Sequence, residues 1–479
     1  MPIELPGPTK NQSAARARQK QLNIPELRYF FDPEWNKTPF RESYSLSVVC
    51  SGRNGVRPAS IYRRPFPAGA SDGRTNTMKL VNLNFASASL VAIWVIAASP
   101  AGADDVADRD NRPNRYVVTN LTADLLGVAA NTDPVLRNAW GVAFTPAASP
   151  FWIADNASGC STLYDGTGAK IALQVPIPLP DNSVPSTACA AAQPASTQTN
   201  PLPPTPAAPT GIVWNPTTAP ATAFLVPGTN TPASFIFDTE DGTLSAWAGG
   251  VTANNQAVIA VDNSGGGPGN GAVYKGLATG VNPRGVFLFA TNFRAGTIDV
   301  FAPNGSNGFR PATSVEIDGD FTDPNIPAGF APFGIQNIDG VLFVTYAKQS
   351  ADKHDDVAGA GFGFVDVFDT DGRLLRRFAS RGPLNSPWGV ARASYAFGRF
   401  SGDILVGNFG NGKIHAFDSD GNFLDTLRDA TGKPITIDGL WTLTLGGGRN
   451  SDSSTLYFTA GPNDETNGLF GTITPAPKQ

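Results

Sequence analysis

The chain has 479 residues and a net charge of −5; only 16% of its residues are charged, whereas 51 are glycine, 41 proline and 30 phenylalanine. Many short strands joined by tight turns use such a composition, and long helices do not tolerate it. The hydrophobic content of 41% is enough for a packed core, which excludes global disorder. We therefore expect an all-β protein.

Charge is unevenly distributed along the chain. Residues 1–77 hold 12 basic and 6 acidic residues, residues 78–103 add only Lys79, and residues 104–479 hold 22 basic and 34 acidic residues. An acidic body lacks the basic surface that phosphates require, so nucleic acid is not expected as a partner.

A leader is predicted at residues 78–103. Lys79 follows Met78, residues 85–98 form a short apolar run, and Ala101-Gly102-Ala103 is a small-x-small cleavage site. The run is too short for a membrane-spanning helix. The sequence therefore predicts a signal peptide, a mature start at Asp104, a secreted or periplasmic location and no stable membrane span after cleavage. Residues 1–77 have no strand or helix period, and we interpret them as a mis-assigned start, a disordered basic extension or the flank of a signal anchor.

The body, residues 104–475, repeats one pattern. An aromatic-Gly-aliphatic start recurs at residues 140–142, 333–335 and 388–390, with variants at 210–212, 275–277 and 439–441. Each start precedes a hydrophobic strand, a polar loop and a third strand, and Asp-Gly turns often lead into a fourth. Six such units predict a six-bladed β-propeller of four-stranded blades. The segment 176–209 is a Pro/Ala-rich inserted loop.

The last unit is short of a fourth strand, because the chain ends soon after residues 469–474. We expect the early strand RYVVTNL, residues 115–121, to complete it and so to remove an open edge. Two cysteines of the body, Cys160 and Cys189, are candidates for a disulfide, although the sequence leaves their pairing open.

The repeats resemble NHL-repeat and SMP-30-like six-bladed propellers, and in particular an uncharacterised exported bacterial family. The resemblance rests on N-A-W-G at residues 138–141, A-T-N-F-x-x-G-x-I-D-V-F at 290–301 and G-N-F-G-x-G-x-I at 407–414. It covers about residues 115–475 and implies the propeller fold, but no particular reaction. SMP-30-like lactonases hold a divalent ion with a glutamate from the first blade, and this chain has LRNAWG there instead.

Residues for acid-base or metal chemistry are scarce in the body, which has two histidines, His354 and His415, and three glutamates, Glu240, Glu316 and Glu465. We interpret His415 as a packing residue and His354 as a solvated loop residue, since no zinc-like spacing exists. Calcium is the one cofactor that the sequence suggests, at Asp155, Asn292 and Asn408, because oxygen ligands suit it. Strand-end turn bonding is the alternative role of these residues.

The start of each first strand and the end of each second strand should lie at one end of the channel. This placement predicts a binding face whose candidates combine aromatic rings with polar side chains. They are Trp140, Asp155, Asn156, Asn292, Phe293, Arg294, Phe333, Trp388, Asn408, Phe409, Trp441 and Asp464.

We therefore expect a binding or interaction module for a carbohydrate, peptide or protein ligand outside the cytoplasm. The alternative is a divalent-metal-dependent hydrolase or lyase of the SMP-30 or lactonase type at the central channel.

Overall fold

The structure is a computed structural model that describes residues 112–146, 149–191, 205–216, 224–252, 254–265 and 269–477. The predicted extension 1–77, the predicted leader 78–103 and residues 192–204 of the inserted loop lie outside the described residues. Everything below concerns the described part of the chain.

The chain forms six antiparallel sheets, which are the blades of a propeller. Strands β1 (Tyr116–Ala123) and β2 (Asn131–Thr132) come first in the chain. Blades 1 to 3 follow as β3 (Ala139–Ala143), β4 (Phe151–Asp155), β5 (Cys160–Tyr164), β6 (Lys170–Pro176), β7 (Pro209–Trp214), β8 (Phe235–Thr239), β9 (Thr243–Trp247), β10 (Val258–Asp262), β11 (Tyr274–Asn282), β12 (Gly285–Asn292), β13 (Thr297–Pro303) and β14 (Phe309–Pro311).

Blades 4 to 6 continue as β15 (Phe330–Ile338), β16 (Val341–Lys348), β17 (Gly363–Phe368), β18 (Leu374–Ser380), β19 (Pro387–Arg392), β20 (Ile404–Asn408), β21 (Ile414–Phe417), β22 (Phe423–Thr426), β23 (Leu440–Leu445), β24 (Leu456–Ala460) and β25 (Leu469–Pro475). Three short 3₁₀ turns also occur, at Asn156–Ser158, Gly398–Phe400 and Phe409–Asn411. None of the helical segments in this part of the chain is long and apolar enough to cross a membrane.

The predicted closure of the ring is confirmed. Strand β1 pairs antiparallel with β25, with Tyr116 opposite Pro475, and so supplies the fourth strand of blade 6. Strand β2 adds a short fifth strand beside β1. Tyr116 is buried, donates a hydrogen bond of 3.1 Å to the carbonyl oxygen of Phe397 and stacks on that ring at 4.9 Å. The strand therefore ties blade 6 to blade 5 as well.

Each pair of neighbouring blades shares a hydrophobic core. Among the described residues there are six such clusters, one at each blade-to-blade interface, and the aromatic rings interlock across them. Trp152 of blade 1, for example, stacks on Phe235 of blade 2 with ring centroids 4.1 Å apart. The strands are buried on both faces for this reason, which explains why the sequence alternates only in part.

The six first strands contact one another in a closed ring around the channel, in the order β3, β7, β11, β15, β19, β23 and back to β3. The glycine of the repeated start makes this close approach possible. A Cβ on Gly141 would lie 2.6 Å from the carbonyl oxygen of Thr210 in the next blade. A Cβ on Gly334 would overlap the carbonyl oxygen of Trp388. Glycine is thus required at this position by packing between backbones.

Blade 6 departs from this rule, and the structure corrects its predicted anchor. The sequence placed the sixth glycine at Gly439, but that residue precedes β23 and has a φ of +63°. The equivalent residue is Thr442, whose hydroxyl donates a hydrogen bond of 2.7 Å to the carbonyl oxygen of Trp140 in blade 1. A hydroxyl contact therefore closes the ring where the other blades use glycine.

Candidate functional site

An aromatic cluster fills the channel at the end where the first strands begin. It consists of Trp140, Phe293, Phe333, Trp388, Phe409 and Trp441, which five blades contribute. The rings of Trp140 and Trp441 stack with centroids 3.5 Å apart, and Phe409 stacks on Trp441 at 4.0 Å. Four of these side chains lie within the first strands, and the other two, Phe293 and Phe409, come directly after the second strands of blades 3 and 5.

Below the cluster the channel is narrow. A cavity of about 30 Å³ is lined by first-strand residues of all six blades, among them Gly141, Gly211, Leu277, Gly389 and Thr442. A volume of this size holds about one water molecule. At this level the channel is therefore too narrow for a ligand much larger than water.

Lys275 lies on the aromatic cluster and is 2% exposed. Its ammonium forms ion pairs with Glu240 of blade 2 and, at 3.4 Å, with Asp355 of blade 4. The ammonium is also 5.3 Å from the ring centroid of Trp140 and 5.9 Å from that of Phe293, within the range of a cation–π contact. Burial lowers the pKa of Lys275, but the two carboxylates outweigh it and the net pKa is raised.

Two asparagines of blade 1 extend the network to blade 6. Asn156 donates a hydrogen bond of 2.8 Å to Glu240, and Asn138 donates one of 3.2 Å to Asn156 and one of 2.7 Å to Glu465. Asn138 accepts a hydrogen bond of 3.0 Å from the indole of Trp441. We call Asn138, Asn156, Glu240, Lys275, Asp355 and Glu465 the polar mouth. It lies directly on the aromatic cluster.

Acidic groups outnumber cations at the polar mouth. Burial, followed by the charge of Glu240, raises the pKa of Glu465 to about 7. A hydrogen bond from His354 holds the pKa of Asp355 at about 2, and the same contact raises the pKa of His354. Burial also raises the pKa of Asp241. Carboxyl groups whose pKa values differ this much in one depression are a common property of functional sites.

The inserted loop is fastened beside the polar mouth. Cys160 and Cys189 form a disulfide with Cα atoms 5.0 Å apart, and the amide of Cys189 donates to the carbonyl oxygen of Ser158. At the end of the loop the amide of Ala208 donates a hydrogen bond of 2.8 Å to Asp241. The described residues at the two ends of the loop are thus attached to blades 1 and 2.

Seven of the twelve residues predicted for the binding face come together at this end of the channel. Six of them form the aromatic cluster, and Asn156 belongs to the polar mouth. The structure therefore brings these seven residues together at one end of the channel, although most of the aromatic side chains are buried under the mouth.

The other five predicted residues belong neither to the aromatic cluster nor to the polar mouth. Asp155 is fully buried and accepts a hydrogen bond of 3.0 Å from the amide of Thr162. Asn292 donates to Asp299, and Asn408 donates to the carbonyl oxygen of Pro383. The three residues suggested for calcium belong to blades 1, 3 and 5, and each has a hydrogen-bond partner of its own. Arg294 donates to the carbonyl oxygen of Gly271, and Asp464 is exposed.

Sequence reasoning missed most of the polar mouth, although two signals were present. Glutamate is rare in the body, and two of its three glutamates, Glu240 and Glu465, lie here. Lys275 is the one charged residue at its position in the first strands, where the five other blades have Trp140, Thr210, Phe333, Trp388 and Trp441. His354 also lies here, beside Asp355, whereas His415 packs inside blade 5 and is 3% exposed.

The resemblance to SMP-30-like propellers implies a divalent ion in the channel. Among the described residues, Glu240, His354 and Asp355 have donor atoms that lie within 4.8 Å of one another. The ammonium of Lys275, however, contacts both carboxylates of this set. The donors thus already hold a cation, and a divalent ion does not fit beside it without displacing Lys275.

Comparison with solved structures finds distant similarities. A virginiamycin B lyase from Staphylococcus aureus is 15% identical, with a TM-score of 0.41 and coverage of 76% of this chain and 100% of that one. A gluconolactonase from Xanthomonas campestris is 13% identical, with a TM-score of 0.37 and coverage of 71% and 86%. No protein-family model matches the chain.

Comparison with curated sequences finds relatives in Acanthamoeba polyphaga mimivirus. Uncharacterized protein R648 is 32% identical over 361 residues, which cover 75% of this chain and 79% of that protein. Uncharacterized protein L690 is 29% identical over 361 residues, with coverage of 75% and 84%. These viral relatives do not support the bacterial origin that the sequence resemblance implied. The chain belongs to the same protein family as R648 of this mimivirus.

Proposed function

We propose that this protein is a ligand-binding propeller whose ligand site is the polar mouth above the aromatic cluster. The observation that carries the proposal is Lys275, a buried ammonium held between Glu240 and Asp355. Blade packing does not explain it, because four of the five other blades have aromatic residues and blade 2 has a threonine at the equivalent position. Burying an ion pair gives little or no stability compared with apolar packing.

The ligand that fits best is a small molecule with several hydrogen-bond donors, such as a carbohydrate. Carboxylate and amide oxygens from Glu240, Asp355, Glu465 and Asn156 converge at the mouth, and Phe409 at its edge is only partly buried. Such a combination of acceptors with an aromatic surface binds hydroxyl-rich ligands. The narrow channel underneath limits binding to the mouth itself.

The binding proposal is tested with a thermal-shift screen of mono- and oligosaccharides, with short basic peptides as a second panel. We expect a saccharide to raise the midpoint of the unmutated protein and to have no effect on Glu240→Gln. Glu316→Gln is the matched control, because Glu316 pairs with Arg310 at the outside of blade 3. Stabilisation by peptides alone would change the proposed ligand class. Equal shifts in Glu240→Gln and Glu316→Gln would contradict the proposal that the ligand binds at the polar mouth.

A metal-dependent hydrolase or lyase is the second candidate. The three donors Glu240, His354 and Asp355 favour it, and the contact of Lys275 with two of them opposes it. Elemental analysis of the purified protein, combined with an assay of lactone hydrolysis, separates the two candidates. Bound metal together with turnover that a chelator abolishes would support the enzyme.

We also propose that the body is exported, as the leader after Met78 suggests. The disulfide between Cys160 and Cys189 supports this location, since disulfides persist mainly in oxidising compartments. N-terminal sequencing of the mature protein tests the proposal. A start at Asp104 is expected, whereas recovery of residues 1–103 in the purified protein would contradict it.

A further inference from the structure

We infer that Lys275 occupies the cation position of the polar mouth, so that the protein carries a built-in cation where a propeller of this type would take a metal ion. The inference concerns the same mouth as the proposed function but does not depend on any ligand. It follows from the geometry of the donors, from the position of Lys275 in the repeat and from the balance of charge.

The donors are arranged as for an ion. One atom each from Glu240, His354 and Asp355 falls within a span of 4.8 Å, which suits a shared cation. His354 and Asp355 are neighbours in one loop of blade 4 and share a hydrogen bond of 2.8 Å, whereas Glu240 reaches them from a loop of blade 2. The ammonium of Lys275 is the group that two of them contact.

The position of Lys275 in the repeat shows that the fold does not require a lysine there. It precedes Gly276, and a Cβ added to Gly276 would lie 3.3 Å from the carbonyl oxygen of Phe333. At the same position blade 2 has Thr210, which is fully buried. Its hydroxyl donates a hydrogen bond of 2.9 Å to Asp238. A short neutral side chain is therefore compatible with a first strand of this ring.

The balance of charge explains the role of the lysine. Without its ammonium, the carboxylates of Glu240 and Asp355 would lie close together beside His354, and two like charges at short distance repel. The carbonyl oxygen of Lys275 also accepts a hydrogen bond of 2.8 Å from the indole of Trp388, which fixes the backbone from which the side chain extends. The lysine thus neutralises the donor set permanently, and a divalent ion would do so only when bound.

The test is manganese binding to the purified chain, measured by equilibrium dialysis with elemental analysis and by electron paramagnetic resonance. We expect no bound Mn²⁺ in the unmutated protein and one equivalent per chain in Lys275→Met and in Lys275→Thr, the second being the residue type of blade 2. Adding Glu240→Gln to Lys275→Met should abolish the gain. Lys170→Met, which removes the partner of Asp133 in blade 1, should create no site.

Several results would overturn the inference. The unmutated protein could bind one equivalent of Mn²⁺ and lose it in Glu240→Gln. This result would show that Lys275 does not exclude the ion. Folded Lys275 variants that bind no Mn²⁺ would show that the donors are not a cation site. Failure of both variants to fold would also contradict it, because it would give the lysine a structural role. None of these measurements includes a saccharide, so their outcome is independent of the proposed ligand.

Discussion

The side-chain amide of Asn138 donates a hydrogen bond of 2.7 Å to the carboxyl group of Glu465, and the contact joins the first and last blades at the polar mouth. The two residues are 327 positions apart. Asn138 has a positive φ of 45°, which is uncommon outside glycine and is best tolerated by asparagine and aspartate. The ring thus closes at the mouth through side chains as well as through β1.

The pKa of Glu465 makes stability depend on pH. The folded value of about 7 exceeds the ordinary value of 4.5, so stability from this group is complete below about pH 4.5 and is lost as the pH rises through about 7. The shift corresponds to roughly 3 kcal/mol. Glu465→Gln keeps an oxygen for Asn138, and we expect it to be more stable than the unmutated protein at about pH 8 but not at about pH 5.

Urea unfolding at the two pH values measures this difference. Glu316→Gln is the control, because the pKa of Glu316 is lowered to about 2 by Arg310 and its titration lies outside this pH range. An identical pH dependence in Glu465→Gln and in the unmutated protein would show that the carboxyl group does not titrate near neutrality.

The ion pair between Lys275 and Glu240 predicts strong coupling between the two residues. Glu240→Gln leaves a buried ammonium with Asp355 alone and should destabilise the fold by roughly 3 kcal/mol. The double variant Lys275→Met, Glu240→Gln should recover most of this loss, because it removes both charges. A double-mutant cycle by chemical denaturation measures the coupling.

The half-exposed pair of Arg310 and Glu316 provides the reference cycle, and its coupling should stay below about 1 kcal/mol. Coupling at the mouth that is no larger than in this pair would mean that Lys275 and Glu240 do not interact in a buried environment.

The inner ring of backbones predicts a graded effect of Gly→Ala substitutions. Gly334→Ala should cost roughly 3 kcal/mol, since its Cβ would overlap the carbonyl oxygen of Trp388. Gly276→Ala, with a contact of 3.3 Å, should cost less, and Gly249→Ala, whose nearest neighbour is 3.7 Å away, should be close to neutral. Thermal unfolding ranks the three variants. Any other order would contradict the backbone contacts between first strands.

The closing strand predicts that Tyr116→Ala destabilises the protein by roughly 3–5 kcal/mol, as for other buried aromatic residues. Deletion of residues 115–121 should be more harmful still, because it leaves β25 with an unpaired edge. The loss of stability in both variants is measured as a decrease in the midpoint of thermal unfolding. Val117→Ala, on the exposed face of β1, is the control. A truncated protein with an unchanged midpoint would show that β1 is dispensable.

Much of the fold could be predicted from the sequence because the repeats are local patterns. Strand spacing, Asp-Gly turns and the missing last strand gave six blades and the closure by residues 115–121, and both predictions are confirmed. Gly439 was the wrong anchor because blade 6 has Thr442 at the equivalent position, so the motif that defined the other blades is absent there.

The site was harder to predict because its residues come from loops whose direction the repeat does not determine. Asp155 and Asn156 are adjacent, yet the first side chain points into its blade and the second into the mouth. Asp464 was chosen and the neighbouring Glu465 was not. His354 and Asp355 lie in an insertion of blade 4 that no other blade shares, so their place beside Lys275 could be learned only from the structure.

The most direct test of the binding site is a titration of tryptophan fluorescence with the saccharide that the screen identifies. Trp140 and Trp441 lie under the polar mouth, so a ligand that binds there should change their emission. We expect a saturable change in the unmutated protein and in Glu316→Gln, and at least about tenfold weaker binding in Glu240→Gln and in Glu465→Gln. Equal affinity in all four proteins would contradict a ligand site at the polar mouth.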